Sequence, residues 1–204
     1  MNEKLETRQK ILEAAMNRIS HYGYGKTTMS EIASDCSMSA GNIYRFFAAK
    51  IDIAEAMARK FNSDLYQTYA EIARSDIPAP QRLRKVFEYG LTHTYDAIEK
   101  DAKILEVAEV LRDERPLFFN EGLAQERIYL NQILETGIEA GTFAPIEDVN
   151  FISEMIQSAL MKFRFPQLYS LLTLAKLKRE LNGVLDIVIA GLKHGITVTV
   201  ETKR

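Results

Sequence analysis

The sequence predicts an all-α fold of about nine helices, arranged as an N-terminal three-helix helix-turn-helix head and a larger C-terminal helical body. Apolar residues recur at helical spacing along nearly the whole chain. Examples are Ile11, Leu12, Ala15 and Ile19 near the start, and Ile152, Met155, Ile156, Ala159, Leu160 and Phe163 later. No segment shows a strong strand-like alternation, and VTV at 198–200 is too short to count. Gly, Pro and capping residues break the pattern at HYGYGKT (21–27), CSMS (36–39), SDIPAP (75–80), RDERP (112–116) and EAGTFAPIED (139–148).

The segments differ in length. Helices up to residue 47 are short, while those beyond Lys50 run over 51–74, 80–100, 116–140 and 148–169, with a closing helix over 174–196. This predicts a head at 1–49 and a body at 50–204. Pro166 has no backbone N–H to donate, so it should kink or end the helix that begins near Asp148.

Composition narrows the function classes. An apolar content of 47% across 204 residues supports a buried core, and the apolar runs are too short to span a bilayer. The opening MNEKLETRQK lacks an apolar leader, so a cytoplasmic location is expected. One cysteine excludes an internal disulfide framework, and three scattered histidines offer no metal cluster. None of His21, His93 and His194 has a Glu three residues before it, as a di-iron bundle requires. No phosphate-binding glycine loop, nucleophile elbow or Cys-His arrangement occurs, so no catalytic residue, metal or cofactor is expected.

Charge is uneven along the chain. Residues 1–60 hold nine Lys or Arg against seven Asp or Glu, and the remainder holds seventeen against twenty-one. A basic segment joined to an acidic one suits a nucleic-acid reader tethered to a second module. More specific is the run 36–51, sixteen residues without a carboxylate in a chain that is 26% charged.

That run sits inside TTMSEIASDCSMSAGNIYRFFAAK, residues 27–50. Thr28 followed by Glu31 is a capping box that starts one helix, and Ser39 is a good N-cap for the next. Ile43 and Phe47, four apart, share one face and can pack with Ile32 and Met38. The opposite face presents Ala40, Gly41, Asn42, Tyr44 and Arg45. Small residues let a helix sink into a major groove, Asn and Arg can bind base edges or phosphates, and a carboxylate there would repel phosphate. Lys26 and Lys50 flank the two helices, where they can grip the backbone, and the helix starts near Thr28 and Ser39 favour anions. The other reading is a tight helical corner in an ordinary bundle.

The same residues resemble the tetracycline-repressor (TetR) family of bacterial transcription regulators from Thr7 to about Ala56. The pattern runs through R-x-x-I-L-x-A-A (8–15), Gly23, T-T-M-x-x-I-A (27–33, opening on Thr27) and S-x-G-x-I-Y-R-x-F-x-x-K (39–50). The resemblance implies that Thr28, Tyr44 and Lys50 contact phosphates, with Ala40, Gly41, Asn42 and Arg45 at the bases. Cys36 and Ser37 replace the Ala and Gly usual in the turn, Met38 a common Val, Phe46 a frequent His or Tyr, and Asn42 a common Thr or Ser. Nothing cationic adjoins Cys36 in sequence to lower its pKa, which marks it as a small buried residue.

The last helix carries Leu181, Val184, Leu185, Val188 and Leu192, with Ile187, Ile189, Ala190 and Gly191 between, so it is apolar on more than one side. One face must meet its own subunit and another a partner. The resemblance implies a homodimer whose last two helices form a four-helix interface, with Ile156 and Leu160 joining those residues. It also implies a ligand cavity among the middle helices, for which Phe87, Leu91, Tyr95, Phe118, Phe119, Met155, Ala159 and Phe163 are candidates; aromatic and apolar stripes at helical spacing more often simply pack in the core. The run 155–179 is acid-free, with Lys162, Arg164, Lys176, Lys178 and Arg179, which suits an anionic ligand or a solvated loop.

The expected function is a dimeric, ligand-responsive regulator, most often a repressor in this family, that binds a pseudo-palindromic DNA operator and is released by a small-molecule effector. The alternatives are a helical small-molecule-binding protein without operator recognition and a helical-bundle enzyme.

Overall fold

The computed structural model describes residues 2–169 and 171–195, and all regular structure among them is helical. The order is α1 (Asn2–Tyr22), α2 (Met29–Asp35), α3 (Ala40–Ile43), α4 (Lys50–Arg74), α5 (Ala79–Lys100), α6 (Ile104–Glu114), α7 (Pro116–Glu139), α8 (Val149–Ala159) and α9 (Leu174–His194). No helix is long and apolar enough to cross a membrane among the described residues.

Three elements differ from expectation. The third helix, expected over 39–47, has one α turn only. Beyond it, the Arg45 amide donates to the Asn42 carbonyl (3.1 Å) and the Phe46 amide to the Ile43 carbonyl (2.9 Å), so tighter i→i+3 winding takes over. The segment 148–169 is not one helix. α8 stops at Ala159, and two 3-10 turns follow at Met161–Phe163 and Pro166–Leu168, the second opened by Pro166. Phe165 before it is extended, as the proline ring requires. Finally, α6 fills Ile104–Glu114, a stretch for which no helix was expected, after a break that no Gly or Pro announces. There the Asp101 carboxylate accepts the Lys103 amide at 3.0 Å, an Asx turn that competes with helix. Ile196 and VTV at 198–200 lie outside the described residues.

The chain divides into two compact units, Met1–Leu65 with Asp96–Gly122 and Tyr66–Tyr95 with Leu123–Arg204. The unit that holds the helix-turn-helix thus extends past residue 49 and takes in α6. Its core is one cluster in which Ile11, Ala15, Ile32, Ile43, Ile53 and Ala54 are fully buried, joined by Val107, Leu111 and Phe118. Each of the larger side chains among them, the isoleucines, leucine, valine and phenylalanine, contributes on the order of 1.5–3 kcal/mol by leaving water.

In the second unit Leu83, Leu91, Leu130, Ile133, Leu134, Leu177, Leu181 and Leu185 are buried. The Ala144 amide donates to the Leu192 carbonyl (2.8 Å), and Lys162 pairs with Glu180 (2.5 Å). Residues flanking α8 therefore meet opposite stretches of α9, which sets the two helices antiparallel. This interior is also polar. Glu126, almost fully buried, pairs with Arg164 at 2.9 Å. Tyr69 is buried among the rings of Tyr66, Tyr89 and Tyr129, and burial holds its pKa well above the usual phenol value. A Cβ at Gly90 would overlap the Tyr69 hydroxyl, so that position on α5 admits only glycine without movement.

Candidate nucleic-acid interface

The helix-turn-helix is held by local hydrogen bonds that its sequence dictates. Thr28 caps α2: its Oγ1 accepts the Glu31 amide (3.3 Å), and the Glu31 carboxylate accepts the Thr28 amide (2.9 Å). At the other end of α2, the Ser37 amide donates to the Ser34 carbonyl (2.9 Å) and the Met38 amide to the Ala33 carbonyl (2.8 Å). With Ser37 at φ 57°, this is a Schellman turn. Ser39 then caps α3, its Oγ accepting the Asn42 amide at 3.2 Å.

Long-range contacts fix the pair in place. Ile43 and Phe47 are buried in the core cluster. Arg8 on α1 donates to the Phe46 carbonyl (3.1 Å) and lies 4.0 Å over the Phe47 ring, which anchors the exit of α3. Arg18, also on α1, bridges Glu31 (3.1 Å) and Asp35 (3.3 Å) on α2. The loop into α2 is braced as well: Glu106 accepts the Tyr24 amide at 2.7 Å, and Lys103 donates to the carbonyls of Ser20 and His21. Gly23 has φ 89°, and a Cβ on it would crowd the Glu106 carboxylate.

Ser39, Ala40, Gly41, Tyr44 and Arg45 are exposed, Tyr44 at 53%, and Asn42 is half-buried. Lys26 and Thr28 are exposed too. Arg45 and Lys26 make no ion pair among the described residues. Two of the nominated residues sit differently. Thr27 is 1% exposed and its hydroxyl donates to the Gly23 carbonyl (2.8 Å), so it shapes the loop instead of facing outward. Lys50 is half-buried: its ammonium donates to the carbonyls of Tyr24 and Thr27, both at 2.8 Å, and lies 4.1 Å over the Tyr24 ring. Burial lowers the Lys50 pKa, while Glu114 and Glu31 act against that shift. The same surroundings push the Tyr24 phenol up to about 12, burial first and Glu114 next. The Cys36 thiol is raised, chiefly by burial, as an unreactive side chain should be.

The residues nominated for a pocket divide between the two units. Phe87, Leu91 and Phe163 are buried in the second unit, and Tyr95 stacks on Tyr169, whose phenol burial pushes up to about 12. Phe118 and Phe119 belong to the first unit's core, and Met155 and Ala159 are exposed on α8. Of the nominated interface residues, Ile156, Leu160, Leu181, Leu185 and Leu192 are buried within their own chain, and Val184 and Val188 are half-buried. The outward apolar stripes are Phe151, Met155 and Ala159 on α8, and Val184, Ile187, Val188 and Gly191 on α9, with Ile187 74% exposed. Sequence periodicity nominated Val184 and Val188 from these stripes for the interface and not the others, because α8 and α9 are apolar on two faces and spacing cannot say which face is inside.

The sequence profile of "Bacterial regulatory proteins, tetR family" matches residues 11–57. The transcriptional repressor KstR2 of Mycobacterium tuberculosis is 26% identical over 155 residues, 74% of this chain and 76% of that protein. The fatty acid metabolism regulator protein of Bacillus subtilis is 24% identical over 203 residues, 95% of this chain and 100% of that protein. The crystal structure of the transcriptional regulator FadR from Bacillus subtilis in complex with stearoyl-CoA superposes with a TM-score of 0.65, at 22% identity, over 90% of this chain and 98% of that one. The capped helix-turn-helix that residues 28–47 build lies inside the segment that matches the tetR-family profile, so the chain is similar to TetR-family transcription regulators there and in fold over most of its length.

Proposed function

We propose that the protein is a homodimeric repressor that reads a two-fold-related DNA operator through residues 39–45 and leaves it when a small effector binds. The observation that carries this reading is the outward side of α3. It is exposed, carries Arg45 without a counter-charge among the described residues, and is locked by a cap, a Schellman turn and Arg8. Ala40 and Gly41 leave room for close approach of a groove wall, Asn42 and Arg45 supply base-edge or phosphate contacts, and Tyr44 with Lys26 supplies backbone contacts. Lys50 acts by fixing the loop ahead of α2.

The outward stripes on α8 and α9 are the dimer surface in this reading. Two copies joined there present two heads to half-sites about 34 Å, or a multiple of that, apart along the duplex. Release is a two-state matter: an effector that favours the arrangement of heads unfit for the operator draws the population away from DNA. A Bacillus subtilis relative named for fatty acid metabolism, and the Bacillus subtilis FadR structure that holds stearoyl-CoA, support an effector with a long apolar part.

Selection of bound duplexes from a random pool, followed by gel shift at several salt concentrations, tests the proposal. The expected result is a pseudo-palindromic site whose binding weakens steeply with salt and is lost on adding stearoyl-CoA. Absence of a preferred sequence would end the operator reading. Retention of binding with stearoyl-CoA present would end only the acyl effector.

A further inference from the structure

The second unit contains a cleft of about 490 Å³ between the end of α4 (Ala73, Arg74), the α4–α5 loop, the start of α5 and the C-terminal half of α7. Arg82 lines it and is only 9% exposed. Its Nη1 donates to the Ala73 carbonyl (2.7 Å) and its Nη2 to the Thr136 hydroxyl (2.9 Å), while its Nε proton has no partner. Arg82 forms no ion pair among the described residues, although buried charges are normally paired. The Ala73 carbonyl, in the last turn of α4, supplies a fraction of a negative charge and the hydroxyl none, so the guanidinium remains under-compensated. Arg74, also lining the cleft, has no ion pair among the described residues either. Gln132, Ser75, Thr136 and Thr142 add hydrogen-bonding groups around the same space.

We propose that this cleft binds a small anionic metabolite carrying a carboxylate or phosphate, with Arg82 as its charge partner. Arginine suits the task because its planar fork can hold two oxygens of one anion, and the volume is in the range of small-ligand sites. Asp76 lies in the same lining and opposes an anion. With Arg74 and Arg82 against Asp76, the net charge of the lining remains positive. The site is separate from the DNA-reading surface, and its test does not depend on operator binding.

Calorimetric titration of the full chain with inorganic phosphate, and separately with succinate, at ionic strength matched with chloride, decides it. Saturable binding of phosphate alone assigns a phosphate ligand, and saturable binding of succinate alone assigns a carboxylate. Asp76→Asn should tighten the binding, and Arg82→Lys should weaken it by about tenfold, because the fork is lost while the charge stays. Should Arg82→Lys fail to fold, Arg74→Gln replaces it and should weaken binding measurably. No saturable heat with either anion, or binding that none of these substitutions alters, overturns the proposal.

Discussion

The Met38 amide donates to the Ala33 carbonyl at 2.8 Å, closing the turn between α2 and α3 over Ser37, whose φ is 57°. A side chain in that left-handed conformation is strained by about 1–2 kcal/mol relative to glycine, which also gains freedom in the unfolded chain. Ser37→Gly should therefore stabilise the protein by about 0.5–1 kcal/mol without loss of DNA affinity. Urea unfolding followed by circular dichroism would show it as a higher midpoint with an unchanged slope.

Gly41 is exposed, and a Cβ there would meet nothing within 4 Å inside the chain. Gly41→Ala should leave stability unchanged or raised by less than about 1 kcal/mol. If a groove wall approaches this surface, the same methyl should cut operator affinity by about tenfold or more, equivalent to ~1.4 kcal/mol. Unchanged DNA binding in this variant would count against docking through α3.

Lys26 and Lys50 should separate by phenotype. Lys50→Met removes two charge-assisted hydrogen bonds to the Tyr24 and Thr27 carbonyls and should cost about 1–3 kcal/mol of stability. Lys26 is exposed and makes no ion pair among the described residues, so Lys26→Ala is a surface change. It should weaken binding to all DNA sequences alike and reduce the salt slope by about one, with the thermal midpoint unmoved.

Ile187 is 74% exposed on the apolar outer flank of α9. Ile187→Glu should yield a folded monomer by light scattering and lose the operator shift, because one head alone grips a half-site. Leu185→Glu, at a fully buried position, should instead unfold the chain.

Hydrogen bonds from the Thr28 hydroxyl and then its amide, with Arg18 adding to them, hold the Glu31 pKa below its ordinary value of 4.5. A carboxylate whose folded pKa is depressed adds stability that is present above its unfolded pKa and lost as the pH falls through the folded one. The gap in thermal midpoint between wild type and Glu31→Gln should thus be full near pH 7 and close as the pH drops below about 4. A gap independent of pH would mean that the charge on Glu31 contributes nothing to the cap.

Two acid-free runs look alike in the sequence and end differently in the fold. In residues 36–51, Arg45 makes no ion pair among the described residues, while Glu114 and Glu31 act on Lys50. In 155–179, by contrast, Lys162 and Lys176 both meet Glu180, and Arg164 meets Glu126. Linear spacing reports the charges that neighbour a residue along the chain, while pairing depends on residues brought from elsewhere. The helix α6 after the break at 101–103 escaped for a related reason: the turn before it is a single aspartate folded back on its own backbone, with no glycine or proline to mark it.

What the sequence by itself determined is the local chemistry of the helix-turn-helix. The cap at Thr28, the cap at Ser39 and the inward pair Ile43 and Phe47 all follow from interactions spanning a few residues. Only the tertiary structure decided that Thr27 faces inward, that Lys50 is spent on two carbonyls, and which sides of α8 and α9 face solvent. Those outcomes depend on which distant segment packs against a residue, and a helix apolar on two faces carries no local signal for which face that segment will cover.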